Sequence, residues 1–119
     1  MSLTIYHNPR CSKSRQTLEL IEQAGMQPDI VLYQSEPITA KRILELAEML
    51  GVPVASITRT GESVFKEAHD QPDLDDDAAL AAWIARHPIA LERPIVVDEA
   101  RSKAVLGRPP ENVRALLPE

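Results

Sequence analysis

The stretch His7-Asn8-Pro9-Arg10-Cys11-Ser12-Lys13-Ser14-Arg15 carries the only cysteine of the chain, set among three basic residues. An apolar run, Leu3 to Tyr6, precedes it, and a helical pattern from Ser12 to Ala24 follows. A strand therefore feeds a short polar loop and then a helix, with Cys11 at or beside the helix start. That position offers backbone N–H groups without intrahelical partners and the positive end of the helix dipole, so it favours an anion. A cysteine held there is biased toward thiolate, the nucleophilic form. Residues 1–18 hold Arg10, Lys13 and Arg15 and no acid, although the chain's net charge is −5. Cations in a first helical turn oppose the dipole, which makes sense if a thiolate or a bound oxyanion sits among them. The alternative is an inert, buried cysteine with solvated basic neighbours; the strand-loop-helix placement and the local charge favour the reactive thiol.

Other chemistries find less support. One cysteine excludes an intramolecular disulfide and a cysteine-rich zinc site. His7, His69 and His87 are widely separated and match no metal-ligand spacing, so no metal site is expected. The acidic balance argues against nucleic-acid binding through bulk charge. No apolar run reaches the ~20 residues of a membrane span, and the N-terminus lacks the features of a signal peptide. A cytoplasmic protein with no bound cofactor is the expectation.

The elements that must position the loop read as follows. At 119 residues the chain is expected to be one domain, residues 1–119. The first helix buries Leu18 and Ile21 and ends at Gly25. Asp29 to Tyr33 is a continuous β-favouring run of the kind buried on both faces, giving a βαβ unit with parallel strands. A helical block follows, about 37–88, without strand signals. Thr39 caps a helix bearing Ile43, Leu46, Ala47 and Leu50, stopped by Gly51. Val52–Arg59 and Ser63–His69 read as short helical pieces. The acidic run Asp73–Asp77 reads as a helix cap rather than a cation site. Leu80, Trp83, Ile84 and His87 mark the next buried stripe, and Pro88 stops it. Ile95–Val97 and Ala104–Leu106 form an antiparallel hairpin with a longish loop. Pro110 opens a last helix with Val113, Leu116 and Leu117 inward.

This order, βαβ, helical block, ββα, with a cysteine at the first helix start, resembles the thioredoxin fold: α/β, a four-stranded mixed sheet and a helical insertion between strands 2 and 3. His7-Asn8-Pro9-x-Cys11-x-x-Ser14-Arg15, Glu92-Arg93-Pro94-Ile95-Val96-Val97 and Gly107-Arg108-Pro109 with Glu111 resemble the glutaredoxin-linked arsenate reductase family (ArsC) over essentially the whole length. The resemblance implies a nucleophilic Cys11 that attacks arsenate, with His7 and Ser14 near the thiol. At helical spacing, Ser14 is expected to point its hydroxyl toward Cys11. It implies Arg59, Arg93 and Arg108 as oxyanion-binding arginines, Arg15 as a further substrate-binding residue, and a cis Pro94 facing the cysteine. Arginine suits the task, since its planar fork donates paired hydrogen bonds and stays charged. With Ser at position 14 and no second cysteine, the family's external thiols, glutathione and then glutaredoxin, are the implied partners. One departure is Ser12-Lys13 where better-understood members tend to have Gly-Thr.

Two other functions fit parts of the pattern. Regulators of the Spx type share this architecture and bind RNA polymerase, and Arg10, Arg15 and the 73–77 acids would serve as partner surface. A glutathione-dependent thiol reductase would use Cys11 on a mixed disulfide without arsenate. The arginine matches and the His7-Asn8-Pro9 entry favour the arsenate reductase.

Overall fold

A computed structural model describes residues 2–118. They form two compact units, one from the residues up to Glu36 together with those from Arg93 onward, the other Pro37–Glu92.

The first unit holds a four-stranded mixed sheet in the order β2-β1-β3-β4, with β1 Leu3–Tyr6, β2 Asp29–Val31, β3 Ile95–Asp98 and β4 Lys103–Leu106. β1 runs parallel to β2, pairing Ile5 with Ile30, and antiparallel to β3, pairing Ile5 with Val96. β3 and β4 are antiparallel with Val96 opposite Val105. The expected βαβ unit and hairpin are both present.

Helix α1, Ser12–Gln23, contains no Gly or Pro and stops where Gly25 turns left-handed at φ +82. There the Gly25 N–H donates to Glu22 O at 2.9 Å and the Met26 N–H to Ile21 O at 3.3 Å, satisfying the last carbonyls. Ile21 packs with Leu3, Ile5, Val96, Val113 and Leu116 in the core beneath the sheet, and Leu18 borders it. Each such side chain contributes roughly 1.5–3 kcal/mol through burial, which fixes the register of α1 against β1 and thereby the loop between them.

Three local expectations change. β2 is a short edge strand rather than one covered on both faces, and Ile30 and Leu32 stand 44% and 38% exposed. The hairpin loop is only Glu99–Ser102, because Asp98 and Lys103 still pair across the ladder. Asp98 is fully buried and accepts from Arg101 Nε at 2.6 Å and from the Arg101 N–H at 3.2 Å; these bonds hold its carboxyl below the usual range. The closing helix, Pro110–Leu116, is 3₁₀, with Val113 and Leu116 inward as expected and Leu117 half-buried at its end.

In the second unit, α2 (Ala40–Leu50) is capped by Thr39, whose hydroxyl accepts the Arg42 N–H at 3.1 Å, and closed by left-handed Gly51 at φ 72. A 3₁₀ segment Val54–Ile57 and a single turn α3, Ser63–Lys66, account for the short helical pieces. Within the acidic run, Asp76 caps α4 (Asp77–Arg86) by accepting the Ala79 N–H at 3.0 Å, and Asp77 accepts the Val54 N–H at 3.3 Å. Trp83 packs edge-on to Phe65 at 5.3 Å and against the His87 ring at 4.3 Å. His87 is thus a helix-end residue held by stacking and by its backbone N–H on Trp83 O.

Candidate active site

The loop after β1 is built by its own polar groups. The Cys11 N–H donates to Asn8 O at 2.9 Å, and the Arg10 N–H to Asn8 Oδ1 at 3.0 Å. Arg15 reaches back from α1 to the Pro9 carbonyl at 2.9 Å, so its guanidinium braces this turn. Cys11 therefore sits at the N-cap of α1 with extended backbone (φ −97, ψ 123), and its carbonyl accepts the Arg15 N–H at 3.0 Å. An N-cap position faces the unpaired N–H groups of the first helical turn.

The half-buried thiol experiences opposing influences. Burial pushes its pKa up, but the Ser14 N–H, the Arg108 guanidinium, the Lys13 N–H and the Arg93 guanidinium, in that order, favour the anion and leave the pKa below its ordinary value. Arg108 Nη1 lies 3.7 Å from Sγ and donates to Arg93 O at 3.0 Å, so one arginine is fixed by the backbone of the other. Arg93 is itself buried, and its bond to Pro94 is cis, as expected; the Arg108–Pro109 bond is cis too. Two guanidinium groups beside a thiolate at a helix start can receive a tetrahedral oxyanion.

Behind the thiol, His7 and Ser14 pair with each other. His7 Nδ1 lies 2.6 Å from Ser14 Oγ, which also accepts the Asn8 N–H at 3.1 Å. Burial lowers the His7 pKa, Arg15 lowers it further and Glu22 opposes them. In a neutral imidazole Nδ1 either accepts the Ser14 hydroxyl or, protonated there, donates to Oγ, according to the tautomer. Ser14 was expected to offer that hydroxyl to Cys11; it acts on the thiol through its backbone N–H instead, while the side chain locks the loop to His7.

The sequence profile of the ArsC family matches residues 6–116. The chain belongs to the ArsC family. It is 44% identical over 117 residues to an arsenate reductase of Neisseria meningitidis serogroup A, covering 97% of each chain. It is also 43% identical over 110 residues to the uncharacterized protein YfgD of Escherichia coli K12, covering 92% of this chain and 91% of that one. Among solved structures, the arsenate reductase from Vibrio cholerae superimposes with a TM-score of 0.90 at 41% identity, covering 98% of both chains. The α/β fold is accordingly the thioredoxin-like one of ArsC proteins.

Within this ArsC-family chain, one unit brings together His7, Cys11, Ser14, Arg15, Arg93 and Arg108. Arg59 lies in the other unit, where two carboxylates hold it: Nε to Glu62 at 2.9 Å and Nη1 to Glu92 at 2.8 Å. Its backbone N–H donates to Ala90 O at 2.7 Å, so Arg59 clasps residues 57–62 to 90–92.

Thr17, which escaped the sequence reading, and Gly107, read there only as part of its motif, both matter. Thr17, fully buried on α1, donates to Lys13 O at 2.8 Å and lies 3.4 Å from Gly107 O. A Cβ at Gly107 would meet Thr17 Oγ1 at 2.5 Å and Pro94 Cγ at 2.7 Å. Only glycine lets the end of β4 lie this close, and the next residue is Arg108. The available signal was the Gly in Gly107-Arg108-Pro109, which marks close backbone approach as readily as it marks a turn.

Proposed function

We propose that this protein is an arsenate reductase whose Cys11 adduct is resolved by glutathione and glutaredoxin. The observation that carries the reading is Arg108 Nη1 at 3.7 Å from the Cys11 sulfur, anchored on Arg93 O. Relatives named arsenate reductase, including the Neisseria protein at 44% identity, add support.

In this reading the Cys11 thiolate attacks arsenic of the bound arsenate, an S–As bond forms, and one oxygen leaves as water. Arg93 and Arg108 hold negative charge on the remaining oxygens, and the N–H groups of Lys13 and Ser14 lower the cost of keeping the thiolate before attack. Glutathione then attacks the Cys11 sulfur. The electron pair of the S–As bond departs with arsenic, which falls from As(V) to As(III) as arsenite, and a Cys11–glutathione disulfide remains. A second thiol, supplied by glutaredoxin, attacks this disulfide and returns Cys11 as the thiol. One arsenate thus oxidises two external thiols to a disulfide. A lone thiol that must be returned to its reduced form suits the reducing cytoplasm.

A coupled assay with glutathione, glutaredoxin, glutathione reductase and NADPH tests this. Arsenate-dependent NADPH oxidation that vanishes in Cys11→Ser is the expected result. Oxidation independent of arsenate, or unaffected by that substitution, overturns the proposal.

A further inference from the structure

Between the loop before Cys11 and the segment after β2 lies an open cleft of about 260 Å³, with His7–Arg10 on one wall and Leu32, Gln34 and Ser35 on the other. Its lining offers the Arg10 cation, amide and hydroxyl groups from Asn8, Gln34 and Ser35, an apolar strip from Pro9 and Leu32, and no carboxylate. Glu36, just beyond, turns its carboxylate onto the Leu32 N–H at 3.3 Å. The Asn8 side chain holds the Arg10 backbone at 3.0 Å, so the cation stands on a braced turn.

We propose that this cleft seats the carboxylate-bearing end of the small thiol that resolves the Cys11 adduct, with Arg10 as its cation and Gln34 as its amide donor. The inference rests on Cys11 acting as a nucleophile that needs an external thiol. Three observations select a small anionic thiol as the occupant. The cleft falls just below the ~300–1,000 Å³ usual for small-molecule sites, whereas a protein partner would claim roughly 800 Å² of surface on this chain. The protein's net charge of −5 repels an anion in bulk, yet residues 1–18 contain no acid, so the cleft is a local exception. Arg10 also adjoins Cys11, and consecutive Cα atoms lie ~3.8 Å apart, so the cleft ends one residue from the nucleophile, although Cys11 itself does not line it. The ligand's carboxylates take no part in the sulfur chemistry. They raise occupancy and leave the chemical step alone.

The test uses oxidised glutathione, which transfers one half to the Cys11 thiolate to give a mixed disulfide and releases glutathione thiolate. Neutral hydroxyethyl disulfide, reacting the same way, is the reference. Rates are read by intact mass, and their ratio cancels any change in thiolate fraction. Arg10→Gln and Gln34→Glu are each expected to lower the ratio about fivefold, about 1 kcal/mol of lost binding. Ser12→Glu, the same change in charge beside Cys11 but outside the cleft, should leave the ratio near wild type. An equal fall in Ser12→Glu, or no fall in the two cleft variants, overturns the proposal. A wild type that shows the preference without arsenate-dependent NADPH oxidation keeps the cleft and removes the arsenate reading; the reverse pattern removes the cleft alone.

Discussion

At the scale of single residues, the thiol's ionisation is a balance that one side chain can tip. Burial opposes the Cys11 thiolate, and the two backbone N–H groups of the first helical turn cannot be removed by truncating a side chain. Arg108 can. Its guanidinium donates toward Sγ at 3.7 Å, and a neighbouring opposite charge typically lowers a pKa by one unit or more. In Arg108→Ala the midpoint of Cys11 alkylation by iodoacetamide should move up in pH, with less thiolate below both midpoints. The sign follows from the depressed folded value, since losing a donor to the anion returns the thiol toward its ordinary pKa. An unmoved midpoint would assign the thiolate to the backbone N–H groups and Arg93. His7 and Ser14 bear on the same loop differently. Their 2.6 Å contact is internal to the loop, and it accounts for two polar side chains at nearly full burial.

At the scale of elements, the site depends on how closely the end of β4 approaches α1. Gly107 fits between Thr17 and Pro94 only because it has no side chain. Gly107→Ala forces a methyl into that contact, and overpacking of this kind costs about 1–3 kcal/mol. Displacement of β4 also carries Arg108, so the variant should combine a lower urea midpoint with a raised Cys11 alkylation midpoint. A stability loss with unchanged thiol titration would separate the packing from the site. The Gly107-Arg108-Pro109 motif marked one side of this contact, but its partner was not legible, because Thr17 stands 90 residues away and carries no chemical signature. The loop itself was legible: Cys11 between a strand and a helix, with the proline-led strand and Gly107-Arg108-Pro109 as distant complements. The failures have physical causes. Ile30-Val31-Leu32 is as apolar as a buried strand, and only the sheet order makes it an edge. Pro110–Leu116 carries the inward residues expected of a helix, with Val113 and Leu116 buried, and its hydrogen bonding is 3₁₀ rather than α, which side-chain periodicity does not distinguish over seven residues. The partners of Arg59 are a different matter: Glu62 and Glu92, 3 and 33 residues away, are not announced by the sequence, and their ion pairs do not contradict the role expected of Arg59.

At the scale of the whole molecule, the decisive fact is arithmetic: a single cysteine in 119 residues. Enzymes with a resolving cysteine complete a disulfide internally, and this chain has no second thiol to do so. The reaction of the proposed cycle therefore halts wherever an outside thiol is withheld. In the proposed cycle, arsenate alone should convert Cys11 to an adduct and release no arsenite. Protection of Cys11 from iodoacetamide should appear with arsenate and be lost on desalting into thiol-free buffer, if the adduct hydrolyses back. Glutathione added to the adduct should release at most one arsenite per chain and leave Cys11 as the glutathione mixed disulfide, visible by intact mass. Glutaredoxin with glutathione should then convert this single event into sustained turnover. The sequence of stalls is diagnostic because each added thiol lifts one block and no other. Arsenite release from arsenate and protein alone would require a second reductant within the chain, and one cysteine cannot supply the two electrons as a disulfide without a partner.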